Sequence, residues 1–178
     1  VLMHHPYQAF TPVVNLVRRA ASDKDVLAIK MTLYRTGSDS PLVQALIDAA
    51  RQGTDVTVVI ELRARFDEAA NIDLATRLQG VGANVVYGVV GYKAHAKMLM
   101  IVRREGRELR RYVHLGTGNY HSGTAKAYTD WGLMSSDSEL GEDMNRTFQM
   151  LTGLGKAAKL SKFLVAPFTL HQAILDMI

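Results

Sequence analysis

The chain has 178 residues, 48% hydrophobic and 21% charged, which is enough apolar material for one core and carries no signature of disorder. It contains no Cys, excluding a disulfide framework and thiolate metal sites and fitting a reducing, cytoplasmic compartment, and it has no apolar run long enough to span a membrane. A net charge of +4 favours anionic partners without separating nucleic acid from phosphorylated small molecules or a lipid surface. The opening residues, Val1-Leu2-Met3-His4-His5-Pro6, lack the basic and apolar regions of a signal peptide and have no initiator Met, so a piece of a longer protein is expected.

Taken in chain order, a helix is expected over residues 10–21, with Thr11 as N-cap and Pro12 at the first helical position. Residues 26–33 (VLAIKMTL) read as a buried strand. Ser40-Pro41 opens a second helix over 42–52, which Gly53 ends. Residues 56–62 (VTVVIEL) form a continuous β-branched run, as expected of a strand covered on both faces. An amphipathic helix over 67–79 closes at Gly80 or Gly82, and residues 84–87 make a short strand. This alternation predicts an α/β fold with a largely parallel sheet in the first half.

The second half reads differently. Strands over 97–103 and 110–115 flank Glu105-Gly106, a hairpin turn between antiparallel neighbours. A further strand is expected over 129–134, a helix over 139–151 and a linker over 153–159. The opening pattern, apolar residues and then Pro6-Tyr7 before a helix, recurs as Pro167-Phe168 before residues 169–178, about 160 residues later. That spacing is domain-sized. It suggests a domain over 1–152, with 153–178 holding a linker and the first elements of a second, related domain.

Among candidates for chemistry, His95-Ala96-Lys97 leads into an apolar strand, and in extended chain His95 and Lys97 project to one face. An ammonium beside an imidazole suits attack on phosphorus, because it neutralises a phosphate oxygen and lowers the imidazole pKa. Alone, the pair is a weak signal, as compatible with surface decoration as with catalysis. Gly116-Thr117-Gly118-Asn119 follows the next strand and offers backbone N–H groups and an amide to anionic oxygens. Arg35 follows the first strand, and Arg63 and Arg65 follow the second, where open α/β sheets build sites and forked donors suit phosphate. The arginines of the hairpin, Arg103, Arg104, Arg107, Arg110 and Arg111, read mainly as a solvated edge that blocks strand pairing, with tracking of a polyanion as the other reading. His4 and His5 read as structural, and His171 carries no role.

His-x-Lys, a strand pair and Gly-Thr-Gly-Asn together resemble the phospholipase D superfamily, whose fold is a mixed sheet flanked by helices. Its hydrolases usually carry an Asp five residues after the Lys, where this chain has Val102. Within that superfamily the chain resembles the polyphosphate kinases. The likeness rests on His5-Pro6-Tyr7, Leu33-Tyr34-Arg35-Thr36-Gly37, the run from Glu61 to Asn71, Val86-Tyr87-Gly88-Val89-Val90-Gly91, His95-Ala96-Lys97, the run from Tyr112 to Tyr120 and Ala127-Tyr128-Thr129-Asp130. It covers essentially the whole chain and points to the first of two phospholipase-D-like catalytic domains.

The resemblance implies reversible transfer of the ATP γ-phosphoryl group to inorganic polyphosphate, with His95 as the phosphohistidine. It assigns Arg35 and Arg65 to a Mg²⁺ and phosphate site, Tyr128 to the nucleotide, and Lys97, His114 and Asn119 to phosphate with less support. Because a guanidinium is a cation, Arg35 and Arg65 are expected to hold phosphate oxygens that themselves carry the metal. His121, Ser122, Trp131 and Gly132 depart from the family pattern beside the motifs. Expected partners are ATP, ADP, polyphosphate and the second catalytic domain of the same chain, with a homo-oligomer for the full-length enzyme and no specific nucleic acid. A cytoplasmic place is implied, with peripheral attachment to the inner membrane left open. The rivals are a phospholipase-D-like phosphodiesterase or nuclease, against which Val102 speaks, and a non-catalytic polyanion-binding module.

Overall fold

Seven strands and six helices are present among the residues that the computed structural model describes, which are 1–36, 40–61, 68–88, 91–153 and 159–178. In chain order they are β1 (Leu2–His5), α1 (Thr11–Ser22), β2 (Val26–Leu33), α2 (Pro41–Arg51), β3 (Asp55–Ile60), α3 (Glu68–Gly80), β4 (Asn84–Val86), β5 (Lys97–Glu105), β6 (Glu108–Gly116), α4 (Thr124–Ala127), β7 (Asp130–Ser135), α5 (Ser138–Leu151) and α6 (Leu170–Met177). The fold is α/β, with one mixed sheet of order β1-β7-β6-β5-β2-β3-β4. Only β2–β3 and β3–β4 pair in parallel; the β2–β5, β5–β6, β6–β7 and β1–β7 pairs are antiparallel.

Side chains alternate across the central strands with the period of two that a pleated sheet imposes. Leu99 and Ile101 of β5, with Val56, Val58 and Ile60 of β3, join the larger core with α1, α2 and α3. Met98 and Met100 of β5, and Val59 of β3, face the other way onto Met144 and Phe148 of α5. Both sheet faces are therefore covered, which is why β2 and β3 read as largely apolar runs, broken by Lys30 and Thr32 in one and Thr57 in the other.

Local chemistry explains most boundaries. Ser40 caps α2 by accepting a hydrogen bond from the Leu42 amide at 3.3 Å, and Gly53, at φ +89°, turns the chain out of the helix. Gly106 sits at φ +62° in the two-residue loop between paired Glu105 and Glu108, a backbone that matches the twist of a hairpin. Two expectations need correction. Phe10, not Thr11, is the N-cap of α1 and makes no side-chain cap, so Pro12 lies in the first turn without the capping hydroxyl. β1 was not anticipated, because four residues before a proline carry almost no periodicity; it exists by pairing with β7, from Leu2 opposite Leu133 to His5 opposite Asp130. The expected linker over 153–159 lies largely outside the described residues.

Candidate functional site

Strand directions bring the ends of six strands to one margin of the sheet. The C-termini of parallel β2 and β3, at Leu33 and Ile60, lie side by side there. The start of β5 joins them through its antiparallel pairing with β2, and Lys97 stands opposite Gly116 at the end of β6. Gly116 in turn faces Gly132 near the start of β7, and His5 ends β1 opposite Asp130. His95, Lys97, Tyr34, Arg35, Glu61 and the Gly116-Thr117-Gly118-Asn119 turn, scattered through the sequence, thus share one margin.

His95 is exposed at that margin, whereas Lys97 is 6% exposed. The Lys97 Nζ lies 3.1 Å from Nδ1 and 3.0 Å from Nε2 of His95, and donates to the His95 carbonyl at 2.6 Å. The expected shared face is realised. The His95 pKa is lowered first by partial desolvation and then by the charges of Lys97 and Lys93, with Glu61 opposing. The sequence argument named the Lys97 charge; only packing supplies the larger cause. Burial likewise lowers the pKa of Lys97, with Asp130 opposing.

Three residues that the sequence reading gave no role fix this arrangement. The buried Thr32 hydroxyl donates to the Ala96 carbonyl at 2.7 Å and accepts from the Met98 amide at 2.9 Å, gripping the chain on both sides of Lys97. Tyr34 stands edge-on to His95 with ring centroids 5.3 Å apart, while Lys97 Nζ and the Arg35 guanidinium lie 5.3 and 5.4 Å from the Tyr34 ring centre. The buried Glu61 carboxylate accepts from the Ala94 amide at 2.8 Å. Tyr34 and Glu61 both stand beside residues already singled out, at strand ends. That position was the available signal; their reach to His95 was not.

The Gly116-Thr117-Gly118-Asn119 turn is braced from beneath. Thr117 donates its hydroxyl to Asp130 at 2.8 Å, its amide donates to the Trp131 carbonyl and its hydroxyl accepts from the Trp131 amide, both at 2.9 Å; a Cβ at Gly118 would lie 2.3 Å from the Asp130 carboxylate, so a larger residue there would have to displace that side chain. His114 is 2% exposed, and its Nδ1 meets the Tyr120 hydroxyl at 2.9 Å. Burial, and to a lesser degree the charge of His5, pushes its pKa down to about 4. It was expected to contact phosphate. Here it lies inside the fold as a neutral imidazole, against Tyr120 and close to Gly116 and Gly132.

The other expected site residues lie as follows. Arg35 is exposed and, at φ +52°, is the sole non-glycine residue with a left-handed backbone among those described, a conformation that swings the chain sharply out of β2. Asn119 is half-buried in the turn, and Tyr128 is 64% exposed just before β7. Arg63 and Arg65 lie outside the described residues. Val102 is half-buried and packs against the core on the α5 side. The hairpin arginines sit toward the far end of β5 and β6, from about 17 Å (Arg111) to about 30 Å (the turn) from the site by strand rise.

A cavity of about 610 Å³ adjoins His95 and Lys97, walled by residues 162–166. That wall is anchored by Asp143 of α5, 1% exposed, whose carboxylate accepts from the amides of Ser161, Lys162 and Phe163 at 2.6–3.0 Å. Burial alone would raise the Asp143 pKa, but these amides and Arg146 outweigh it and hold the carboxyl below its ordinary value.

Residues 1–157 match the family described as polyphosphate kinase C-terminal domain 1. The chain belongs to the polyphosphate kinase family. A polyphosphate kinase of Xylella fastidiosa is 65% identical over 175 residues, covering 98% of this chain and 25% of that protein. A crystal structure of polyphosphate kinase from Porphyromonas gingivalis superposes with a TM-score of 0.88 at 36% identity, covering 99% of this chain and 30% of that one. Nuc of Salmonella typhimurium, a phospholipase D family member, superposes with a TM-score of 0.65 at 18% identity, covering 88% and 95%, and shares the fold. The chain therefore spans about a quarter of the length of the curated polyphosphate kinases it matches.

Proposed function

We propose that this chain is the first phospholipase-D-like catalytic domain of a polyphosphate kinase that moves the γ-phosphoryl group of ATP reversibly onto inorganic polyphosphate through a phosphohistidine at His95. The observation that carries this reading is the buried Lys97 ammonium set against an exposed imidazole of lowered basicity. Neutral His95 attacks the γ-phosphorus in line. A P–N bond forms as the bond to the β,γ-bridging oxygen breaks, and ADP leaves. The terminal oxygen of polyphosphate then attacks the same phosphorus and the P–N bond breaks. Lys97 neutralises a phosphate oxygen, Arg35 and Arg65 hold others, Asn119 adds an amide donor, and Tyr128 offers an exposed ring to the nucleotide.

Magnesium is implied by the family. Among the described residues no group of three or more His, Asp or Glu lies together to hold a metal, and the side chains nearest His95 are mostly nitrogen-bearing, with Glu61 the one carboxylate bonded to its loop. They do not fit direct ligation of Mg²⁺, which takes oxygen ligands; the ion belongs to this reading as a companion of the nucleotide phosphates, and no step is assigned to a protein-held metal. In this reading the domain comprises residues 1–152, and 153–178 lead into a second catalytic domain that supplies the opposing half, so the 178 residues alone are expected to be inactive or badly impaired. No helix among the described residues is long and apolar enough to cross a membrane.

The test uses the full-length enzyme with ATP labelled at the γ-phosphate. An acid-labile, base-stable adduct is expected in the wild type and absent in His95→Ala. Undiminished polyphosphate synthesis by His95→Ala overturns the reading.

A further inference from the structure

Glu61 is buried yet ionisable, lies one residue beyond β3, and is left without a part in the transfer steps. Its surroundings are specific. The Asn71 side chain of α3 donates to its carbonyl at 3.1 Å, and its own amide bonds the Leu33 carbonyl at 3.4 Å, so its backbone is fastened to a helix and to the neighbouring strand. Its carboxylate reaches across to the Ala94 amide at 2.8 Å, the residue before His95. A Cβ at Gly88 would lie 3.7 Å from Glu61 Oε2, so the carboxylate also borders the chain leaving β4.

We propose that Glu61 is a positioning residue for phosphoryl transfer, clamping through Ala94 the loop that carries His95 and setting a fixed negative charge behind the imidazole. The proposal rests on the reading of His95 as the phosphoryl carrier and adds a part for a carboxylate that does not touch substrate. Geometry argues for it first. His95 precedes β5 and has no ladder partner of its own. Thr32 grips the segment at Ala96 and Met98, and Glu61 grips it at Ala94, so the two bracket His95. A side chain that must meet phosphorus in line needs such bracing, since small misplacements of a reacting group cost orders of magnitude in rate.

Charge argues for it second. The groups acting on the ring are Lys97 at the start of β5, Lys93 in the loop and Glu61 at the end of β3, with the uncharged Tyr34 ring edge-on from β2. Lys97 and Lys93 favour the neutral ring, and Glu61 is the counterweight. Without it, the imidazole would be a weaker base and a poorer nucleophile among cations.

The substitutions Glu61→Gln and Glu61→Ala separate the two parts. A Gln oxygen can still accept from Ala94 but carries no charge; Ala removes both. In the full-length protein, carbethoxylation of His95 by diethyl pyrocarbonate, followed by peptide mass spectrometry across a pH series, reads the basicity and access of the ring without any transfer reaction. For Glu61→Gln the expected result is a reactivity profile displaced to lower pH, with adduct formation from labelled ATP reduced less than in Glu61→Ala. For Glu61→Ala a loss of about tenfold or more in adduct formation is expected. A wild-type profile in Glu61→Gln overturns the proposal even if Glu61→Ala fails to fold, and wild-type adduct formation in folded Glu61→Ala overturns it too. Should His95 prove not to carry phosphate, the displaced profile would still appear, so the two failures are distinguishable.

Discussion

The two ends of the β5–β6 pair carry the same chemistry, clusters of cations, and arrange it in opposite ways. At the hairpin end, Arg103 pairs with Asp23 at 2.9 Å, Asp25 at 3.3 Å and Glu105 at 3.6 Å, Arg110 pairs with Glu105, and Arg111 pairs with Glu142. Glu105 also accepts from the Tyr112 hydroxyl, which lowers its pKa and raises that of Tyr112. At the other end, Lys97 faces not a carboxylate but an imidazole and a carbonyl, with two more cations, Arg35 and Lys93, close by. The lesson is that positive charge alone does not mark a site. Arg103, Arg110 and Arg111 answer carboxylates already in the fold, whereas Lys97 is held by packing in a place where an arriving anion would complete it.

Substitution at each end tests the contrast. Lys97→Met removes the ammonium from the margin, and a loss of about a hundredfold or more in phosphoryl transfer by the full-length enzyme is expected, read from labelled-ATP kinetics. A loss under tenfold would mean that the ammonium is ornamental. Asp143→Ala leaves three amides of the cavity wall unsatisfied, with an expected cost of about 3 kcal/mol in denaturant unfolding and faster hydrogen exchange over residues 159–166.

A pH series sharpens the contrast, because the buried His114 lies at the His95 end of β6, two residues before Gly116. Its pKa is about 4 in the fold against an ordinary value of 6.5, so the unfolded chain takes up a proton first as pH falls. Its contribution is complete above pH 6.5, declines below that value and is lost by about pH 4. From this group a decrease of about 2 kcal/mol is expected on going from pH 7 to pH 5, and His114→Gln should flatten the slope. The smallest effect is expected from Arg103→Ala, whose partners Asp23 and Asp25 are about one-third to one-half exposed: a slight fall in Tm and unchanged transfer, where impaired transfer would restore the hairpin as a polyanion track.

Much of this was legible in the residues. The β2 boundaries match the sequence reading at Val26–Leu33, because a mostly apolar run with β-branched residues that follows Asp23, Lys24 and Asp25 favours a strand, and α2 carried its own start and stop in Ser40 and Gly53. The short β1 was not legible, since pairing with β7 creates it. Among site residues, His95 and Lys97 were visible through their spacing of two. His114 was visible only as a histidine in a familiar string, and the string does not say that its ring would be buried against Tyr120.

The sequence by itself determined the alternation of strands and helices, the placing of His95 and Lys97 on one face, and membership of a phosphoryl-transfer family, because these depend on contacts between near neighbours or on a string of residue types. Only the tertiary structure decided that Tyr34, Thr32 and Glu61, 61, 63 and 34 residues distant in sequence from His95, would surround its loop. Strand order and direction settle such meetings. Each strand fixes where its own side chains point, but which strands become neighbours depends on the burial of two apolar faces by the whole sheet.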